Sequence, residues 1–248
     1  ATLINNGTIR GQVVNNGGAS TTNHGVIEGA VLNDGTLVST GTLGGGLANN
    51  GMAQLQGVVD GTVINTGAIT LTADAELKGV GLELGGSVDG AKALTLTDSG
   101  TTKISGAVGV GTSLTSLEVK GGGTTQLAGG SIKTSGTQTY SNAVSLLNNT
   151  TLIGSTVSTG STLTGLDGST KRSLTVTGAA TFGDGTGADS ITDLTTLSVS
   201  GNAALNLGAI TTSGTQTYSG NVSLAKAVSL TTTNSNIGIT GTLNGGSD

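Results

Sequence analysis

Cysteine, proline and tryptophan are absent from this chain of 248 residues, which holds one Phe, two Tyr, one Met and one His. Each absence excludes something. Without Cys there are no disulfides, thiolate metal sites or Cys nucleophiles. With one His, a zinc centre lacks its usual ligand set, and a Ser-His-Asp triad would have to use His24. Aromatics make up 1 % of residues, too few to fill an irregular globular core. No apolar run reaches the ~18 residues of a transmembrane helix. Only 9 % of residues are charged, with a net charge of −5. That balance argues against nucleic acid or an anionic membrane as a partner.

What is present is 46 Gly and a hydrophobic fraction of 34 %, nearly all Ala, Val, Leu and Ile. Disordered chains lack aliphatics or carry high net charge, so this composition points to order. It suits a core of many small, similar layers, each in contact only with its neighbours.

Two repeat systems run along the chain. In residues 1–85 an aliphatic pair precedes Asn-x-Gly or Asn-Asp-Gly. It occurs at Leu3-Ile4-Asn5, Val13-Val14-Asn15, Val31-Leu32-Asn33, Leu47-Ala48-Asn49 and Val63-Ile64-Asn65. From the second occurrence the spacing is 16–18 residues. Between these landmarks aliphatic and polar residues alternate with period two, the strand signal. Asn, Asp and Gly are expected to supply left-handed turn conformations. In residues 86–248 a unit of about 78–80 residues occurs twice, continuous with the first segment. Ile132-Lys133-Thr134-Ser135-Gly136-Thr137-Gln138-Thr139-Tyr140-Ser141 returns at Ile210–Ser219, and Leu94-Thr95-Leu96 matches Leu174-Thr175-Val176. Two extra residues enter after Asp167-Gly168 and leave near Gly208. Each unit holds three or four coils.

These features predict an all-β chain folded as a right-handed parallel β-helix (β-solenoid) of about a dozen coils, equivalent strands stacking on one another. The inward residues are expected to be Ile9, Val13, Val31, Leu55 and Val63. Further along they are Leu94, Leu96, Leu117, Val119, Leu127, Ile132, Val144, Leu146 and Leu152, with counterparts from Leu174 to Leu230. No signal peptide is visible, and a repeat stands at each end, so the chain reads as a segment of a longer array.

The unit Val88-Asp89-Gly90-Ala91-Lys92-Ala93-Leu94-Thr95-Leu96, then Thr112–Leu117, then the Thr-Gln-Thr-Tyr segment, resembles the repeats of filamentous-haemagglutinin-like proteins. The Asn-Gly-rich first half is similar to stretches of autotransporter and two-partner-secretion passengers. The resemblance implies the shaft of a large bacterial surface adhesin or extracellular fibre. Such a protein is exported across a Gram-negative outer membrane to the extracellular cell surface. It would act in adhesion or biofilm, through contact with host or bacterial surfaces or matrix, or by self-association into fibres. No enzyme activity, cofactor or transmembrane segment is expected.

Several side chains compete with that structural reading. His24 stands in a turn of the short repeat. The carboxylate groups Asp184, Asp189, Asp193 and Asp74, Glu76, Glu83 are the nearest approach to a polysaccharide lyase or hydrolase site. Asp184 and Asp189 form a calcium candidate in a Gly-rich turn. Tyr140 and Tyr218 could stack on sugars or pack over a corner. Asn6, Asn148, Asn149 and Asn221 head Asn-x-Ser/Thr glycosylation tripeptides. The recurrent Thr-x-Thr pairs are the polar phase of strands. The alternative function is a glycan- or self-binding module that uses a solenoid face.

Overall fold

The computed structural model describes residues 1–167 and 169–245. Among them there is no helix. Short parallel strands stack as a β-solenoid of about 13 turns. The chain divides into two compact units, Ala1–Gly123 and Thr124–Asp248. The alternation read from the sequence sets the burial. In Ala93–Asp98, Leu94 and Leu96 point inward while Thr95 and Thr97 face out. Each buried Leu or Val is worth about 1.5–3 kcal/mol.

In the first unit each turn contributes three strands. One column stacks Thr2–Asn5, Ser20–Asn23, Thr36–Ser39 and the starts of Met52–Asp60 and Ala68–Gly79. A second runs from Thr8–Ile9 through Val26–Ile27 and Thr42–Leu43 to Ala93–Asp98 and Ser116–Lys120. A third stacks Val13–Asn15, Val31–Asn33, Leu47–Asn49, Val63–Asn65, Leu82–Leu84 and Thr101–Ile104. Val13 pairs with Val31, Val31 with Leu47 and Leu47 with Val63, so the short repeat is one turn of the solenoid. Asn5 belongs elsewhere: it stacks on Asn23, in the first column. The Asn-x-Gly landmark therefore occurs twice per turn at the start of the unit.

The role expected for these glycines needs correction. None of Gly7, Gly25, Gly35, Gly51 and Gly67 has a positive φ. Gly25, Gly35, Gly51 and Gly67 are required because successive turns touch there, whereas a Cβ on Gly7, in the first turn, would meet nothing. A Cβ on Gly51 would lie 2.2 Å from the Gly35 carbonyl oxygen, and one on Gly67 would lie 2.1 Å from that of Gly51. The core list holds with small departures: Ile9, Leu224 and Leu230, on the outermost described turns, are half-buried.

The second unit has the same three-column plan. Thr124–Leu127, Ala143–Leu146, Leu163–Thr164, the start of Ser190–Val199, Ala209–Thr212 and Ser229–Thr232 form one column. Another stacks Ser131–Lys133 on the starts and middles of Thr150–Thr159 and Thr170–Phe182, then on the end of Ser190–Val199, on Gln216–Tyr218 and on Ile237–Ile239. The last column contains Thr137–Tyr140, the ends of the same two long strands, Ala203–Leu205, Val222–Leu224 and Leu243–Gly245. Gly168, where the long repeat gains residues, lies outside the described residues. On either side of it Leu166–Asp167 pairs antiparallel with Thr170–Lys171.

Here the expectation that equivalent strands stack is overturned. Ile132 stacks through Leu152 and Val176 to Val199, three whole turns on. Two more strands, Ala203–Leu205 and Ala209–Thr212, then lead to Ile210, which pairs instead with Ile191 and Leu230. The long repeat thus spans three and two-thirds turns, and its two copies lie on different faces.

Candidate functional site

The polar side chains capable of chemistry divide into those consumed inside the stack and those presented outward. Inside the first unit, Asn15, Asn33, Asn49 and Asn65 are buried in one ladder. Each Nδ2 donates to the next Oδ1 at 2.6, 2.6 and 2.7 Å. The same Nδ2 groups also reach main-chain oxygens of Thr36, Met52 and Ala68. A second ladder runs from Asn5 through Asn23 to Ser39. These residues pave the interior, because Asn shares the inward parity of the first aliphatic residue of each pair.

Among the described residues Asp98 is the one buried carboxylate, and the sequence reading passed over it. Its oxygens accept bonds from the main-chain N–H of Gly81, Leu82 and Gly100 and from the Thr102 hydroxyl, at 2.8–3.1 Å. Burial alone would raise its pKa. The bonds from Gly100, Gly81, Thr102 and Leu82 outweigh burial and hold it below the usual carboxylate range. The signal available was Asp followed two residues later by Gly, which is also the signature of an ordinary turn.

Tyr140 and Tyr218 are wholly buried, so neither ring is offered to a sugar. Each phenol donates to its own neighbour, Gln138 or Gln216, at 2.9 and 3.1 Å. Desolvation pushes both phenols up in pKa. Gln138 Nε2 in turn donates to the carbonyls of Ile132 and Ile153, and Gln216 Nε2 to those of Ile210 and Thr231. Thr134 and Thr212 bond to Gly136 and Gly214 at the same corners. The Thr-Gln-Thr-Tyr motif is therefore a corner plug that binds mainly to main chain.

Outward, His24 is exposed, with Nδ1 2.9 Å from the Thr40 hydroxyl. The carboxylates named from the sequence do not converge. Asp74 accepts the Ala93 N–H, Glu76 the Thr97 hydroxyl, and Glu83 pairs with Lys103 at 3.5 Å. Asp193 pairs with Lys171 at 3.7 Å. Asp189 accepts the N–H of Asp184, and Asp184 accepts both the N–H and the hydroxyl of Thr186, which lower its pKa. These two carboxylates are turned to the N–H groups of their own loop. Among the described residues no three His, Cys, Asp or Glu side chains gather as a metal site. Asn6, Asn148, Asn149 and Asn221 are all exposed. Asn149 and Asn221 accept bonds from the Ser173 and Thr242 N–H groups.

The outer faces are shallow. On the first unit, Val14, Leu32, Ala48 and Ile64 form an outward aliphatic stripe beside a groove of about 150 Å³ floored by Gly45 and Gly46. On the second, Thr139, Ser141, Ser158 and Asp184 line a groove of about 300 Å³. Column by column the second unit shows hydroxyls: Ser131, Thr151, Thr175, Ser198 and Thr217 succeed one another from turn to turn. No protein-family model, no curated protein and no solved structure matches the chain. The class is set by the fold: a repeat protein of the parallel β-solenoid type.

Proposed function

We propose that the chain is a structural shaft segment of a large secreted bacterial surface adhesin or extracellular fibre, spacing a binding tip and catalysing no reaction. The observation that carries this reading is the fate of the polar side chains. The buried ones are almost all satisfied by neighbouring turns or corners, and the carboxylates turn to main-chain N–H groups, to hydroxyl or amide groups of the next turn, or to neighbouring cations. A scaffold built this way specifies length and stiffness, while site chemistry is left to other parts of a longer protein. The partners would be host or bacterial cell surfaces or matrix, reached from the extracellular side of an outer membrane.

Deletion of one whole turn, residues 31–46, from the parent protein tests this. Val31 and Leu47 occupy the same column position, so the stack can close over the gap. A shaft keeps cell binding and loses one turn of reach by electron microscopy. Binding abolished by this deletion, or by Ile64→Lys alone, would instead favour a binding face. The aliphatic stripe ending at Ile64 is the feature that speaks for that second reading.

A further inference from the structure

Four Asn-Gly pairs occur: Asn6-Gly7, Asn16-Gly17, Asn50-Gly51 and Asn244-Gly245. Such a pair carries its own nucleophile, because a glycine nitrogen has no flanking Cβ to hinder approach to the Asn Cγ. Three of the four are held. Gly51 N donates to Asn33 O at 2.9 Å, and the Asn50 amide is bonded to Asp34 and to the Thr66 hydroxyl at 2.9 and 2.6 Å. Gly7 N donates to Asn5 Oδ1 at 3.1 Å. Asn244 and Gly245 pair with Ser223 and Leu224 in the last described strand of a column, and Asn244 Nδ2 donates to the Thr242 hydroxyl at 3.2 Å.

Asn16-Gly17 differs because its corner is two residues longer than the next. Asp34 N and Gly35 N both donate back to Asn15 O, and Thr36 N donates to Ala19 O. Gly17 and Gly18 are thereby looped out of the stack, with Gly18 at φ +75. Asn16, Gly17 and Gly18 are exposed. Among the described residues neither the Gly17 nitrogen nor the Asn16 amide has a hydrogen-bond partner. A Cβ on Gly17 would meet nothing nearer than Asp34 O at 4.0 Å.

We propose that Asn16 is a site of spontaneous deamidation and that the stack protects the other three pairs. Gly17 N attacks Asn16 Cγ and gives its proton to solvent base. The new N–C bond closes a succinimide, the Cγ–Nδ2 bond breaks, and Nδ2 leaves as ammonia after taking up a proton. Water then opens the ring at either carbonyl, giving aspartate or isoaspartate. One water is consumed, one ammonia is released, and nothing is oxidised or reduced. The product adds a carboxylate at the corner that also carries Asp34.

The test is a time course of the folded 248-residue chain at mildly alkaline pH, read by peptide mass mapping and isoaspartate detection. Asn16 should convert about tenfold faster than Asn6, Asn50 and Asn244, equivalent to ~1.4 kcal/mol of barrier. In denaturant the four should converge, since the dipeptide is the same. Gly17→Ala, which fits the open corner, should slow conversion of Asn16 without moving the melting temperature, and Asn16→Gln should remove the signal. Conversion of Asn6 or Asn50 at the rate of Asn16 in the folded chain would overturn the proposal. So would an Asn16 that stays intact while the denatured chain converts.

Discussion

In the unit Ala1–Gly123 the buried Asn side chains bind one another from turn to turn, whereas in Thr124–Asp248 the buried Gln and Thr side chains at the corners bind mostly main chain. An Asn ladder needs the same residue in the same column of the next turn. Its repeat must therefore equal a whole turn, as Asn33, Asn49 and Asn65 do at 16-residue intervals. A Gln-Tyr plug asks only for carbonyls, and every corner of every turn supplies those. Its repeat is free of the turn length, and the two copies sit on different faces. All three aromatic residues lie in the second unit, where Tyr140, Thr159 and Phe182 succeed one another in one inward column.

The sharpest way to break the contrast is through glycine. Gly51→Ala in the first unit forces a Cβ onto main chain and should cost more than ~4 kcal/mol or prevent folding. Gly160→Ala in the second meets nothing nearer than 3.7 Å and should stay within about 0.5 kcal/mol. Melting curves of the two variants decide this. Next comes Asn33→Leu, which removes one acceptor of the Asn15 Nδ2 and the donor to the Asn49 Oδ1 and should cost about 3 kcal/mol. Replacing Asn15, Asn33, Asn49 and Asn65 together should cost less than the sum of the single changes, since Leu84 already continues that column. Equal, additive costs in denaturant titrations would show that the ladder is not coupled.

Asp98→Asn should destabilise by about 2–3 kcal/mol through lost bonds to a charged acceptor. Because the folded pKa of Asp98 is depressed, its contribution is complete above the unfolded value of about 3.9 and fades as pH falls below it. Acid titration of the wild type should show that loss, and the variant should not. Gln138→Leu and Gln216→Leu should each cost about 2 kcal/mol, and similarly, despite their different faces. Unequal costs would argue that the plug depends on its column. The smallest effect expected is a gain: Thr159→Val removes a buried hydroxyl without a partner and should stabilise by about 1 kcal/mol.

Much of this architecture was legible in the sequence. Period-two alternation placed Val13, Val31 and Leu94 inward, and the 16–18-residue repeat was visible, though only strand pairing shows that it equals one turn. The inward role of Asn15 and Asn33 followed from the same parity, but Asn-x-Gly also signals a turn, and that local meaning masked the core position. The face of each long-repeat copy was hidden for another reason. Self-similarity reports how far apart like residues stand, and only strand pairing reports how many turns lie between them. Asp98 was unreadable because three of its four partners are main-chain N–H groups, which leave no trace in residue identity.

The fractional turn of the long repeat has a consequence for anything that approaches the second unit from outside. Thr139 and Thr217 are the same residue of the same motif, yet they project from different columns. An antibody, protease or modifying enzyme that reads this motif meets it at two compass bearings rather than twice along one line. Such a motif is displayed around the axis, and no single flat partner can engage both copies at once.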